Sequence, residues 1–498
     1  MPGMNLLQCR PVGASFEIPW QVLVTLVTVA GYLMAFLLIP RILLSQKEAG
    51  ATFAWILVIA FLPWLGALLF FLIGRTRVRR RAKRKVRYRV AINQSLQGIG
   101  PKRPCCENSV IERLAEPCRS IARVAARLSE GPLFPGNAVD VFVEGERCYV
   151  EMERAILGAE RNVHMMTYIY REDEAGLRFR EALMKKAREG LEVRLLVDGF
   201  GSHALGRRFV RPLEEAGAHF ARFMPVLPFS PHWRPNLRNH RKILVVDGRI
   251  GFTGGLNIGD EYRGRKRRLG PWRDTHLELR GPAVWRLQET FAEDWFFATR
   301  QDLISLDHFP AIAPAGDDLV QVVDSGPDHA HENLHAVFFT AISRAERSIF
   351  ITTPYFVPDP AMLEALKTAA FRGVDVRLLL PGRSDMRLVQ VAGRSFYREL
   401  LEAGVRIWEH RPGVLHAKTM VIDGTWSTVG SANMDIRSFR LNFECNVLVT
   451  GTSFAERMQR IFEDDLARAR PVTLESVRRK NVWRRLSEGF ARALSPVL

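Results

Sequence analysis

His240-Arg241-Lys242-Ile243-Leu244-Val245-Val246-Asp247-Gly248 and His416-Ala417-Lys418-Thr419-Met420-Val421-Ile422-Asp423-Gly424 are two copies of one pattern: His, one residue, Lys, four residues, Asp-Gly. Each copy leads to a small-residue turn and an asparagine, Gly254-Gly255-Leu256-Asn257 in the first and Gly430-Ser431-Ala432-Asn433 in the second. The Asn stands seventeen positions after the His in both, 240 to 257 and 416 to 433. A single match would carry little information in 498 residues. Two with the same downstream Asn point to a duplicated unit and one composite active site.

The repeat extends outward from the motifs. Arg154-Ala155-Ile156 to Glu160-Arg161, followed by the apolar 163–168, matches Thr340-Ala341-Ile342 to Glu346-Arg347, followed by 349–355; a helix feeding a strand fits both. Phe179 to Gly190 and Met362 to Gly373 read as amphipathic helices ending in Gly, and 193–197 and 376–380 as the buried strands after them. Glu215-Ala216-Gly217 and Glu402-Ala403-Gly404 mark a further matched helix end. Strands alternating with helices imply two α/β domains, related as a pseudo-twofold pair. The alternation of a strand puts His240, Lys242 and Leu244 on one face and Arg241, Ile243 and Val245 on the other. Asp247-Gly248 and Asp423-Gly424 then read as hairpin turns. The first copy has eleven extra residues before its His, supplied by Pro225–Pro235, which suggests a loop beside the site.

The N-terminal part has a different character. The stretches 18–40 and 49–74 are free of charge for 23 and 26 residues, and about 20 apolar residues suffice to cross a bilayer, so two membrane helices in a tight hairpin are expected. A cleaved signal peptide would carry a basic start, and the only early base is Arg10. Ten of the fifteen residues from Arg75 to Arg89 are Lys or Arg, over half of the net charge of +18. Beside a membrane span such a run reads as a cytoplasmic retention signal that attracts anionic headgroups, rather than a nucleic-acid site. The expected organisation is a tail at 1–17, membrane helices at 18–40 and 49–74, a basic juxtamembrane linker at 75–130, and catalytic halves at 131–312 and 313–498. The catalytic region is placed on the cytoplasmic side. Cys9, Cys105, Cys106, Cys118, Cys148 and Cys445 form no CxxC pair, so neither a zinc site nor a disulfide framework is expected.

Two imidazoles beside two fixed cations suit a phosphodiester. One imidazole attacks phosphorus while the other protonates the departing alkoxide and then deprotonates the incoming hydroxyl, work open to a side chain of pKa about 6.5. Lys242 and Lys418 hold the non-bridging oxygens, and Asn257 and Asn433 donate hydrogen bonds to them. No metal or other cofactor is expected. Asp247 and Asp423 complete the motif and are counted with the catalytic set, although a D-G turn at a strand end suits a structural role. In the aligned repeats Asp274 of Trp272-Arg273-Asp274 and Glu444 of Asn442-Phe443-Glu444 each begin an eight-residue block ending in Gly, and these carboxylates are the expected orienters of the imidazoles.

These residues resemble the phospholipase D superfamily and, within it, the bacterial cardiolipin synthases. The resemblance is carried by 236–242, by Gly254-Gly255-Leu256-Asn257-Ile258-Gly259-Asp260-Glu261-Tyr262 and by Trp272-Arg273-Asp274-Thr275-His276. In the second half it is carried by Pro354-Tyr355-Phe356-Val357-Pro358-Asp359, His416-Ala417-Lys418-Thr419-Met420 and 437–444. Ala54-Trp55 through Leu62-Pro63 to Gly74-Arg75 is similar to the family's second span, and 494–498 to its C-terminal ending. The segment 101–118 and the cysteines are less typical. The resemblance implies two phospholipase D-like domains at the bacterial inner membrane. It also implies transfer of a phosphatidyl group from one phosphatidylglycerol to another with release of glycerol, and His240 as the attacking imidazole. Phosphatidylglycerol and anionic lipids are the expected partners, with no nucleic acid; the sequence leaves the oligomeric state open. The same motifs also fit a phospholipase D hydrolase, a phosphatidyltransferase using another alcohol, and, against the two spans, a nuclease of the superfamily. A CDP-diacylglycerol-dependent synthase would carry DGxxAR, which this sequence lacks. The segment Trp483 to Leu494 spaces Leu486, Phe490 and Leu494 along one helical face, fitting either membrane contact or core packing.

Overall fold

The computed structural model describes residues 19–44, 49–74, 85, 87–88, 90–92, 108–129, 131–225, 236–265 and 270–494. The chain divides into two compact units, 1–75 and 76–498.

In the first unit Trp20–Leu43 is one helix of 24 residues with Arg41 as its only charge, long and apolar enough to cross a membrane. The second segment departs from the expected single helix. Ala49–Phe61 is helical, Leu62 leaves the helical region (φ −132°, ψ 68°), and Pro63–Leu69 resumes as a short helix ending in a π-helical turn, Phe70–Gly74. Pro63 is the cause: it has no N–H to give the preceding turn, and its ring disfavours the helical conformation at the residue before it. The segments fold back on each other. The Trp64 indole donates to the Val27 carbonyl at 3.2 Å, and Ala35, Leu38 and Ile42 pack with Ile59, Ala67 and Phe70.

The second unit holds two mixed sheets of the same construction. The first is built from β1 (Phe134–Glu144), β2 (Asn162–Thr167), β3 (Glu192–Asp198), β4 (His219–Phe223), β6 (Ile243–Val246), β7 (Ile250–Gly254) and β8 (Trp272–Arg280), with the two-residue β5 (Arg238–Asn239) leading into the motif. Its spatial order is β1-β8-β7-β6-β2-β3-β4, with β2, β3 and β4 parallel and the rest antiparallel. The second is built from β9 (Asp318–Ser325), β10 (Ser348–Thr352), β12 (Asp375–Pro381), β13 (Arg406–His410), β15 (Thr419–Ile422), β16 (Trp426–Gly430), β18 (Asn442–Thr450) and β19 (Ala469–Val472). Its order, β9-β18-β16-β15-β10-β12-β13, repeats the first strand for strand, with β19 added at the edge. The short β11 (Phe356–Val357) and β17 (Met434–Asp435) pair with each other, and β14 (Val414–Leu415) is the counterpart of β5. The matched helices end as read from the sequence: Gly190 and Gly373, and Gly217 and Gly404, all have positive φ, which glycine adopts without a side-chain clash.

Three cores follow from this layering. One packs the outer helices on the first sheet, one does the same on the second, and the third lies between the halves around the helices Val284–Thr299 and Thr452–Ala467. The described parts of 75–130 belong to this unit. The helix Cys118–Ser129 contributes Cys118, Ile121 and Ala125 to the second half's core, and Tyr88 and Ile92 enter the shared one. Lys85, within the basic run, is buried against Asp294 at 2.8 Å and Asp328 at 2.9 Å; 75–84 lie outside the described residues. So do Cys9, Cys105 and Cys106, whereas Cys118, Cys148 and Cys445 are buried free thiols.

Candidate active site

The segments before the two motifs cross between the halves. Arg238-Asn239 of β5 pairs with Asn442-Phe443 of β18, and Val414-Leu415 of β14 pairs with Trp272-Arg273 of β8. The backbone N–H of His240 donates to the Phe443 carbonyl at 2.9 Å, and that of His416 to the Arg273 carbonyl at 2.7 Å. This corrects the reading of the whole motif as strand. β6 and β15 begin only at Ile243 and Thr419, because the residues ahead of them hydrogen-bond to the opposite half. Arg241 does point away from the cleft. It is buried between Asp294 (2.7 Å) and Asp324 (3.2 Å), and its Nε donates to the Glu444 carbonyl at 3.1 Å.

The exchange gives each imidazole the other half's carboxylate. Nδ1 of His416 lies 2.6 Å from Oδ2 of Asp274, and Nδ1 of His240 lies 3.2 Å from Oε1 of Glu444. Lys418 Nζ is also 2.8 Å from the His416 Nδ1, but an ammonium only donates. The shorter carboxylate contact therefore fixes that nitrogen as N–H and leaves Nε2 for the cleft. The carboxylates are themselves anchored. Asp274 accepts from the Thr275 N–H at 2.8 Å, while Glu444 accepts from Asn442 Nδ2 at 3.1 Å and from the Ser431 hydroxyl. The sequence difference between the small-residue turns has its reason here. A Cβ on Gly255 would lie 1.9 Å from Oδ1 of Asp274, whereas its counterpart Ser431 makes the hydrogen bond to Glu444.

His240, Lys242, Asn257, His416, Lys418 and Asn433 all line one cleft of about 450 Å³. Burial lowers His240 to about 4 against the opposing pull of Glu444, and burial also lowers His416. Burial thus favours the free base at His240, the form that can attack, whereas at His416 the adjacent Asp274 opposes the lowering. Burial works against the charge on Asp274, yet Lys418 and His416 hold it down at about 2; Glu444 is likewise lowered, with His240 overcoming its burial. Each lysine donates to the carbonyl of its own motif's histidine, and both line the cleft. Asn257 and Asn433 each spend one N–H on a hydroxyl, Tyr262 at 3.2 Å and Ser438 at 3.3 Å, and an amide nitrogen carries a second for the cleft.

Burial also lowers Lys242 and Lys418, both to about 8 from the usual 10.5. An ammonium is charged below its pKa, so the pair's positive charge is lost as pH rises through about 8. Because kcat/KM reports ionisations of the free enzyme, its pH profile with a phosphodiester substrate is expected to fall above about pH 8, and a plateau to pH 10 would contradict this.

Asp247 and Asp423 are not among the residues that line this cleft. Both occupy the hairpin turns with positive φ, 54° and 52°. The Asp247 carboxylate accepts from the backbone N–H groups of Glu160, Arg161 and Asn162 at 2.8 to 2.9 Å, and that of Asp423 from Glu346, Arg347 and Ser348 at 2.7 to 2.9 Å. These bonds tie each hairpin to the start of a neighbouring strand, β2 and β10. The structure adds residues that motif reading passed over. The Tyr168 ring lies 4.2 Å from that of His240, Trp272 lies 5.3 Å from His416, and Asn442 Nδ2 is 3.1 Å from the His240 Nδ1. In the second half Tyr355, one position beyond the counterpart of Tyr168, faces His416 at 6.3 Å. Residues 226–235 of the expected loop lie outside the described residues, although Asn236 after them lines the cleft. Among the described residues His164, Glu192 and His308 have metal-ligand spacing away from the cleft. There Gln288 lies 3.1 Å from His164 Nδ1, and the Arg194 guanidinium occupies Glu192, a poor setting for a cation.

Comparison with known proteins agrees with this architecture. Residues 152–268 and 338–466 match the family described as cardiolipin synthase, PLD-like domain, and 33–75 match the phospholipase D-nuclease N-terminal family. The cardiolipin synthase of Geobacillus kaustophilus is 40% identical over 461 residues, covering 91% of this chain and 90% of its own length. The major cardiolipin synthase ClsA of Bacillus subtilis is 35% identical over 484 residues, 96% of this chain and 99% of its own. The crystal structure of phosphatidylserine synthase from Haemophilus influenzae superposes with a TM-score of 0.59 at 13% identity, over 76% of this chain and 99% of its own, a likeness of fold. The chain belongs to the bacterial cardiolipin synthases of the phospholipase D superfamily.

Proposed function

We propose that this chain makes cardiolipin by moving the phosphatidyl group of one phosphatidylglycerol to a hydroxyl of a second, with release of glycerol. The observation that carries the reading is the pair of imidazoles in one cleft, each backed by a carboxylate from the opposite half and accompanied by a lysine. In the first step Nε2 of His240 attacks phosphorus and forms a P–N bond. The P–O bond to the glycerol headgroup breaks, and His416 gives the departing oxygen a proton. In the second step His416 removes the proton of the acceptor hydroxyl, that oxygen attacks phosphorus, and the P–N bond breaks to restore His240. One phosphodiester replaces another, so the bonds balance without a nucleotide or a metal.

Superfamily analogy and the free base held on buried His240 support it as nucleophile. The 2.6 Å contact with Asp274 suits His416 to carry the proton, because an adjacent carboxylate stabilises an imidazolium against the lowering by burial, and arrival of the anionic phosphodiester acts in the same direction as Asp274. Lys242, Lys418, Asn257 and Asn433 balance the non-bridging oxygens as charge shifts onto them. The reaction takes place at the bacterial cell membrane, with 18–40 and 49–74 both spanning it and the catalytic halves, 131–312 and 313–498, on the cytoplasmic side. The positive run from Arg75 supports that orientation.

Purified full-length protein given labelled phosphatidylglycerol without CTP is expected to yield cardiolipin and glycerol in equal amounts. Phosphatidic acid as the main product would replace the reading with hydrolysis, and absence of any phosphatidyl product would overturn both.

A further inference from the structure

The helix Val482–Ala493 is fixed to the second half with its apolar side outward. At 3.6 residues per turn, Val482, Trp483, Leu486 and Phe490 fall within an arc of about 100°. All four are exposed, Trp483 by 79% and Phe490 by 68%. The opposite side is the one that packs: Glu488 and Ala491 are buried, Glu488 is held by Lys480 at 2.8 and 2.9 Å, and Arg492 reaches Glu399 at 2.8 Å and stacks over Phe396 at 4.2 Å. The orientation is therefore determined by contacts, and the alternative of core packing for Leu486 and Phe490 does not hold.

Charge completes the pattern. Arg478, Arg479, Arg484 and Arg485 are exposed around the apolar stripe, Arg478 pairing with Glu402, Arg479 with Glu475 and Arg484 with Glu488, the only acid between 478 and 494. Trp, Leu and Phe on one arc with arginines beside it is the composition of a helix that lies in the plane of an anionic lipid interface. The helix also has a position relative to the cleft. It packs on the helix Arg387–Arg394, whose Val389 lines the cleft together with the preceding Met386; Met386 and the neighbouring Leu388 are exposed. Across the cleft Phe200 of the first half is a further exposed lining residue.

We propose that Val482–Ala493 is a second membrane contact, docking the rim of the cleft onto an anionic phospholipid surface so that a headgroup enters without its acyl chains leaving the bilayer. The inference deepens the lipid-transfer reading and rests on it for the purpose of the contact. The contact itself is tested without turnover. Full-length protein in a His240→Ala background, which keeps lipid composition fixed, is placed in nanodiscs of phosphatidylglycerol or of phosphatidylcholine, and amide hydrogen exchange of 482–493 is followed by mass spectrometry.

The expected result is exchange at least about fivefold slower in phosphatidylglycerol, the effect of roughly one arginine near an anionic surface. That difference is expected to disappear in Leu486→Glu/Phe490→Glu, whose exposed positions leave the unfolding temperature unchanged. Equal exchange in the two lipids overturns the proposal. Protection that instead grows with protein concentration in detergent assigns the face to a second copy of the chain and also overturns it. Since no product is measured, failure here is distinct from failure of the transfer assay.

Discussion

Replacing His240 or His416 by Ala is expected to lower kcat for transfer between phosphatidylglycerols by at least about 10⁴-fold, the scale on which residues acting as one catalytic unit fail together. The two losses are expected to separate when the leaving group changes. With a p-nitrophenyl ester of phosphatidic acid the departing phenolate needs no proton. His416→Ala then forms the covalent phosphatidyl-histidine, releases nitrophenol in a burst and stalls, because nothing deprotonates the acceptor. His240→Ala gives no burst, since it lacks the attacking nitrogen. Mapping the trapped phosphate to residue 240 by acid-free mass spectrometry checks the assignment. Phosphate on residue 416 in a burst from His240→Ala would reverse the two roles, and near-normal turnover in either single variant would sink the composite site.

The second large effect concerns the crossed carboxylates. Asp274→Asn and Glu444→Gln keep the shape of the side chain and remove the charge that holds each imidazole N–H, so each is expected to lower kcat by about 10²- to 10⁴-fold. The pairing makes the defects distinguishable. Asp274 acts through His416, so Asp274→Asn is largely rescued in burst formation by the nitrophenyl ester. Glu444 acts through His240, so Glu444→Gln remains slow in the same burst. If each half's carboxylate served its own histidine, the rescue would fall on Glu444→Gln instead. A nitrogen NMR spectrum in which Asp274→Asn shifts the tautomer signal of His416 and leaves His240 in place is the corresponding spectroscopic result. A merely structural role for Asp274 would disturb neither ring selectively.

Several features of this site were open to reading from residues alone because they repeat. The doubled His-x-Lys, the matched Asn257 and Asn433, and the shared end of the 274 and 444 blocks each depend on spacing along one chain. Spacing survives folding wherever strand periodicity and helix-ending glycines such as Gly190 and Gly373 set it. Asp247 and Asp423 show where motif counting misleads. They recur as faithfully as the histidines, yet what recurs is a left-handed turn whose backbone needs a carboxylate to tie it to the next strand. Pro63 was equally visible, but its effect on the second apolar segment is local and composition outweighed it.

What the sequence by itself determined is the set of residues offered for the chemistry, the duplication whose two halves line one cleft, and the apolar character of the N-terminal segments. These are properties of residue type and of distance along the chain. Only the tertiary structure decided which carboxylate serves which histidine, because that depends on two short strands, β5 and β14, pairing with the opposite half. It also decided that Tyr168, Trp272 and Asn442 stand against the imidazoles, and that Trp483, Leu486 and Phe490 face outward. Such contacts join residues far apart in sequence, and no local periodicity encodes the choice of partner.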